Sequence, residues 1–242
     1  MTNVAYNCDC MEYMRTLPDK AFDLAVVDPP YGSGDSQFVH VERKKDGPAP
    51  EKYWRRFGGV FDKYRQSSAD GGRLGDEVRK KIIAWDTAPG PDYFRELARV
   101  SRNQIIWGGN YFCLAGTRCF LIWRKTNIPL EGFSMAPCEY AWTSFFQNAR
   151  IFEFSSAESA QGPRFHPTQK PVQLYAWIYQ HFARPGDKIL DTHLGSGSSR
   201  IAAWDAGLDF VGCEIDADYF AAQEARYQAH VAQMSLFVEG NT

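Results

Sequence analysis

Phe22-Asp23-Leu24-Ala25-Val26-Val27-Asp28-Pro29-Pro30-Tyr31 is the stretch that decides how the chain folds. Its first six residues are mostly apolar and end in two β-branched side chains, the pattern of a short buried strand. Pro29 and Pro30 have no N–H to give to a ladder, so the strand stops at Asp28. A carboxylate, a rigid diproline and an aromatic ring then stand at the C-terminal edge of a sheet, where open α/β sheets bind ligands. The arrangement suits a planar ring that carries an amino group. Tyr31 could stack on the ring, while Asp28 and the Pro29 carbonyl accept from the amine, pre-aimed by the fixed φ of proline. Asp and Pro are also common turn formers, so the tetrapeptide alone reads equally well as a plain strand-ending turn.

The 242 residues, 44% hydrophobic and 23% charged, fit a single α/β domain spanning 1–242 with an insertion. A formal net charge of -2 does not announce a nucleic-acid binder, although a near-neutral average can conceal a basic face. No apolar run reaches the roughly 18 residues of a membrane span. Met1-Thr2-Asn3-Val4-Ala5-Tyr6 has neither the basic nor the apolar region of a signal peptide, so a cytoplasmic protein is expected. Cys8, Cys10, Cys113, Cys119, Cys138 and Cys213 form no Cys-x-x-Cys pair, so reduced thiols and no metal site are expected.

Along the chain, Val4 to Asn7 reads as a weak strand. Met11, Met14 and Leu17 have helical spacing, with Asp9 placed to cap that helix or to contact a nucleoside. Residues 32–90 differ in character, with little periodicity and much Gly, Lys, Arg, Asp and Ser. Within them Arg43, Lys44, Lys45, Lys52, Arg55 and Arg56 interleave with Tyr53, Trp54 and Phe57. Basic plus aromatic composition fits a phosphate-and-base surface, and equally a solvated loop over a small satellite core. A stretch this long without strong elements argues for a lid or insertion. Beyond it come a helix from Pro91 and a strand Gln104–Trp107 that ends in Gly108-Gly109-Asn110-Tyr111. Strands Cys119–Trp123 and Glu139–Thr143 follow, with a loop from Arg124 to Pro137 between them. Asn110 and Tyr111 could face the same crevice as Asp28, although a glycine turn needs no such explanation.

The last third carries the clearest pattern. His166-Pro167-Thr168-Gln169-Lys170-Pro171 leads into a periodic helix from Val172 to about Phe182, with Pro171 suited to its first position. Lys170 stands beside that start, a cation able to hold a carboxylate. A strand Lys188–Asp191, a loop Thr192-His193-Leu194-Gly195-Ser196-Gly197-Ser198-Ser199, a helix, and a strand Phe210–Glu214 follow. Asp216 then caps a helix to about Met234. Strand, glycine loop, helix, strand and acid, in that order, make a nucleotide-binding βαβ unit. Gly195 and Gly197 admit close approach of backbone to a ligand, and Glu214 stands where an acid can take both ribose hydroxyls. The loop is neither Gly-x-Gly-x-x-Gly nor a P-loop.

Asp28-Pro29-Pro30-Tyr31 together with Asp191–Gly197 and Glu214 resembles the amino-methylating DNA methyltransferases, in the permuted order of their β group and most similar to phage and prophage members. His166 to Pro171 resembles that family's cofactor-binding segment. The resemblance implies a Rossmann-like S-adenosylmethionine-dependent methyltransferase fold, a mostly parallel twisted sheet with helices on both faces. It implies methyl transfer from S-adenosylmethionine to the N6 amine of adenine in double-stranded DNA, after base flipping. Cytosine-N4 transfer, an inactive DNA-binding relative, a methyltransferase acting on RNA or protein, and a dehydrogenase are the rival readings. Carried over residue by residue, the catalytic group is Asp28, Pro29, Pro30 and Tyr31. The cofactor group is Asp9, Cys10, His166, Thr168, Lys170, Asp191, His193, Leu194, Gly195, Ser196, Gly197, Ser198, Glu214 and Ile215, with Lys170 on the methionine carboxylate. The basic residues of 43–56, with Asn110 and Tyr111, are the expected DNA contacts, no metal is expected, and a homodimer fits similar enzymes. The family usually has Asp-Pro-Phe before the glycine loop; Thr192 and His193 replace Pro and Phe here.

Overall fold

The computed structural model describes residues 2–32, 87–131, 136–156, 165–166 and 168–239, with side chains as far as 233. Arg43, Lys44, Lys45, Lys52, Arg55 and Arg56 lie outside the described residues. The chain divides into two compact units, one formed by Met1–Pro29, Gly90–Asn127 and Cys138–Thr242, the other by Pro30–Pro89 and Ile128–Pro137. None of the described residues of the second unit is in a helix or strand.

The first unit is built on one sheet. Its strands are β1 (Asn3–Asn7), β2 (Phe22–Val27), β3 (Ser101–Trp107), β4 (Phe120–Lys125), β5 (Cys138–Thr143), β6 (Arg150–Phe154), β7 (Lys188–Asp191) and β8 (Asp209–Glu214). They lie in the order β1-β8-β7-β2-β3-β5-β4-β6. The five strands from β1 to β3 are mutually parallel, β5 runs antiparallel to both β3 and β4, and β6 is parallel to β4. The fold is therefore α/β with a mostly parallel sheet, as the βαβ pattern implied.

The helices are α1 (Cys10–Arg15), α2 (Pro91–Val100), α3 (Val172–Phe182), α4 (Ser198–Asp205) and α5 (Ala217–Glu239). The period-2 alternation of the strands sends side chains to two cores. Leu24, Val26, Ile105, Trp107 and Ile189 pack with Leu174, Ile178 and Phe182 of α3 and Ile201 of α4. Ala25, Val27, Ile106 and Leu190 pack on the other face with Met14 of α1 and Tyr93, Leu97 and Val100 of α2. A fully buried side chain such as Leu97 contributes about 1.5–3 kcal/mol to this layering.

Three boundaries differ from expectation. Pro171 precedes α3 instead of opening it, because its ψ of 144° keeps it extended. Arg124 and Lys125 continue β4, which shortens the loop expected from 124. β6 was not foreseen: it borders β4 alone, and its middle residue Ile151 is 65% exposed. At the end of β3, Gly109 sits so close to β5 that a Cβ would stand 2.4 Å from Trp142 Cβ and 3.0 Å from Trp142 N. Gly109→Ala therefore destabilises by about 1–3 kcal/mol, because backbone must move to make room. Urea denaturation should show a lower midpoint with an unchanged slope.

Candidate active site

Parallel pairing places the C-terminal ends of β1, β8, β7 and β2 side by side. Four acids therefore follow one another along that edge: Asp9, Glu214, Asp191 and Asp28. Each is held in a different way.

Asp9 caps α1. Its Oδ1 accepts from the amides of Met11 at 2.6 Å and Glu12 at 3.2 Å, which puts Cys10 in the first turn. Asn7 ties the end of β1 to β8 by donating from Nδ2 to the Glu214 carbonyl at 2.7 Å and the Ile215 carbonyl at 3.2 Å. The Glu214 carboxylate takes two backbone amides, Gly195 N on Oε2 at 2.8 Å and Asp216 N on Oε1 at 2.9 Å. Burial raises its pKa and those amides resist the rise. Ile215 beside it is exposed.

Asp191 is buried and accepts from the Ser199 hydroxyl on one oxygen and from His193 N at 3.1 Å on the other. Burial pushes its carboxyl up to about 7, and the charges of Asp28 and Glu214 add to the rise against those two bonds. The loop that follows closes back on itself. Leu194 N donates to the Cys213 carbonyl at 2.9 Å and Gly197 N to the Leu194 carbonyl at 3.0 Å. Gly195 has φ +52° and the space of its absent Cβ is bounded by the His166 ring at 3.2 Å, so only glycine fits without strain. Ser196 and Ser198 share a hydrogen bond at 3.1 Å. Arg226 of α5, which sequence reading did not single out, donates to the Ser196 carbonyl at 2.8 Å and the Ser198 hydroxyl at 2.9 Å. His166 also meets Thr168 Oγ1 at 3.2 Å and packs edge-on against Tyr219.

Asp28 is joined by a cation. Lys170, only 4% exposed, donates to Asp28 Oδ2 and lies 3.2 Å from Glu139 Oε2. Burial works against its ammonium, but the two carboxylates outweigh burial and raise its pKa. Glu139 of β5 holds Lys125 of β4 on its other oxygen at 2.6 Å. Burial works against the Glu139 charge too, yet the two lysines hold its pKa at about 2. Glu139 and Lys125 carried no signal in the sequence beyond strand charges. Lys170 was expected to meet the carboxylate of a ligand; the carboxylates it meets belong to this chain.

Of the other expected residues, Pro29 lies with Asp28 in the first unit, while Pro30 and Tyr31 belong to the second. Asn110 and Tyr111 form an exposed 3-10 turn after β3. Among the described residues no group of His, Cys, Asp or Glu is placed to hold a metal, and no helix is long and apolar enough to cross a membrane.

A family model described as DNA methylase, of the N6/N4 type, matches residues 22–225. The chain belongs to that family. The methylase is 25% identical over 231 residues to the Escherichia coli (strain K12) protein YubD, which carries the name of a methylase, covering 91% of this chain and 88% of YubD. It is 23% identical to the type II methyltransferase M.BglII of Bacillus subtilis, over 90% of this chain and 66% of M.BglII. In fold it is similar to the cytosine-N4-specific PvuII DNA methyltransferase, with a TM-score of 0.53 and 12% identity over 93% of this chain and 86% of that one.

The methylase departs from the Asp-Pro-Phe pattern at Thr192 and His193, and the structure shows what replaced it. Tyr93 hydroxyl, Thr192 Oγ1 and His193 Nδ1 form a chain with spacings of 2.6 and 2.9 Å. Burial lowers the His193 pKa from 6.5 to about 4, despite the opposing charge of Asp9. Between those values the folded chain binds fewer protons than the unfolded one, so this group makes stability rise with pH. Asp191, about 7 folded against 3.8, does the reverse and makes stability fall with pH. Each slope is at most about 1.4 kcal/mol per pH unit, and they oppose one another from about 4 to 6.5. His193→Phe removes the rising contribution. Its thermal midpoint should fall from pH 4.5 to 6.5 more steeply than that of the wild type, as followed by circular dichroism across that range.

Proposed function

We propose that the protein transfers a methyl group from S-adenosylmethionine to the exocyclic N6 amine of adenine in double-stranded DNA. The observation that carries this reading is the placement of Asp28 at the same sheet edge as Asp191, the glycine loop and Glu214, in a chain of the N6/N4 DNA methylase family. S-adenosylmethionine supplies, when bound, a sulfonium whose methyl is open to in-line attack by nitrogen.

The residues present fit that molecule. Glu214 and Asp9 are immobilised by backbone amides on part of their acceptor capacity and retain the rest for hydroxyl or amine donors. The left-handed glycines at 195 and 197 leave backbone exposed without side chains in front of it. The row of acids is also suited to a cofactor bearing a positively charged sulfur. His193, Leu194, Ser196 and Ser198 line the same loop, with His166, Thr168, Cys10 and Ile215 beside it.

At Asp28 the reading explains the carboxylate. The lone pair of an aromatic amine is delocalised into its ring, so the nitrogen is a poor nucleophile. A carboxylate and the Pro29 carbonyl accepting its two N–H groups favour the pyramidal nitrogen and stabilise charge as it grows in the transition state. Alignment of nitrogen, methyl and sulfur supplies much of the remaining rate. A stacked base is out of reach inside a duplex, so it is flipped out, and Tyr31 regains part of that cost, on the order of 1–3 kcal/mol. The insertion at 32–90, with its basic residues, and the turn at Asn110 and Tyr111 are assigned to DNA contact. Lys170 is assigned to Asp28 instead of to the methionine carboxylate, because its ammonium is already divided between two carboxylates of the chain.

Asp28→Ala should lower methylation about a hundredfold or more while leaving S-adenosylmethionine affinity within a few-fold, measured by labelled-methyl transfer and by calorimetry. Sequencing DNA from an expressing host reads base and target together. Methylated adenine is the expected product; methylated cytosine would move the assignment to the N4 amine, and the absence of both would overturn the reading.

A further inference from the structure

The chain of charges behind Asp28 has a purpose that a simple ion pair would not need. Lys170 alone beside Asp28 would be free to slide over both of its oxygens and compete with the incoming amine. Four observations say that it is fixed instead. Glu139 bridges two ammonium groups with its two oxygens, Lys125 on Oε1 at 2.6 Å and Lys170 on Oε2 at 3.2 Å. Both ammoniums lie against indole rings: Lys125 stands 5.1 Å from the Trp123 centroid and Lys170 stands 5.5 Å from the Trp107 centroid. Trp107 and Trp123 are buried in one core, so the floor beneath the cations is closed to water. The strands also hold the pair in register, because Trp123 faces Glu139 across β4 and β5 and Lys125 lies diagonal to it.

We propose, resting on the methyl-transfer reading above, that Glu139 is a positioning residue for that reaction, with Lys125 behind it. Glu139 takes the Lys170 ammonium to one side and confines it to Oδ2 of Asp28. Oδ1 is then kept for the target amine. The two lysines and two carboxylates are together neutral, so positive charge arriving on the amine nitrogen meets no net repulsion from Lys170. Removal of Glu139 leaves three charges with a net positive balance beside the growing charge on nitrogen. Direct removal of a hydrogen-bond partner of substrate is not involved, so cofactor binding is spared. The low pKa of Glu139 agrees with a carboxylate that stays ionised at every pH where the enzyme works.

The test compares wild type, Glu139→Gln, Lys125→Met and Lys125→Arg. Initial rates are measured with tritiated S-adenosylmethionine and unmethylated bacterial genomic DNA. Affinity for S-adenosylmethionine is measured by calorimetry, and thermal midpoints are recorded for each variant. Glu139→Gln should lower kcat about tenfold or more with S-adenosylmethionine affinity within about twofold of wild type. Lys125→Met should lower kcat by a smaller factor with the same unchanged affinity, and Lys125→Arg should restore most of it. A kcat within twofold of wild type in Glu139→Gln overturns the proposal. So does a loss of rate that is matched by loss of cofactor affinity, which is the signature of a purely structural clasp. If Glu139→Gln does not fold, the Lys125 pair decides. A drop in kcat for Met that Arg rescues supports the proposal, and equal rates overturn it. A wild-type protein that labels no DNA overturns the methyl-transfer reading and this inference with it, and that outcome is seen before any substitution is compared.

Discussion

The parallel pairing of β2 with β7, Leu24 against Ile189 and Ala25 against Leu190, is the contact on which the site depends. Those strands are more than 160 residues apart in sequence, and their alignment brings Asp28 and Asp191 to one edge. Alternation then fixes the faces: Leu24 and Ile189 go to one core, Ala25 and Leu190 to the other. A slip of one residue would exchange the two cores and turn both acids away from their partners, so burial on both faces specifies the register strongly. Bringing carboxylates together has an electrostatic cost, and the edge meets it three ways. Asp191 rises toward the protonated form, Glu214 leans on backbone amides, and Asp28 recruits Lys170. Only the last places a full counter-charge at the acid, and it does so at the acid assigned to the amine.

Much of this architecture was readable from pattern. Phe22–Val27, Val172–Phe182 and Lys188–Asp191 form the expected elements with the expected bounds, because each is an apolar run closed by proline, glycine or an acid cap. Asp9 and Asp216 cap α1 and α5 as Asp before a helical pattern should. β6 escaped because Arg150-Ile151-Phe152-Glu153-Phe154 is a short edge strand whose definition comes from the backbone of β4. The partners of Lys170 escaped for a related reason. Nothing local in Cys138–Thr143 or Phe120–Lys125 distinguishes Glu139 or Lys125 from charges on an exposed strand. Their meaning comes from β4–β5 register and from the loop before α3, both long-range facts. Arg226 likewise reads as helix-surface charge until α5 is seen to lie against the glycine loop.

The departure at Thr192 and His193 shows how such a site tolerates change. Phenylalanine at that place would be fixed by packing alone. His193 is instead fixed by a hydrogen-bond chain, and the chain has a direction. Burial keeps the Tyr93 hydroxyl protonated, and burial keeps His193 neutral. Thr192 has a single hydrogen. If Tyr93 donates to Thr192 and Thr192 donates to His193 Nδ1, every hydrogen in the chain is used and the imidazole proton resides on Nε2. In the opposite direction the Tyr93 hydroxyl would receive a bond and still need an acceptor for its own hydrogen inside the core. Buried networks stabilise only when each member is satisfied, so the first direction prevails. Thr192 and His193 therefore make sense as a joint substitution. Together they keep an aromatic ring rigid beside the cofactor loop, and they give it a donor that phenylalanine lacks.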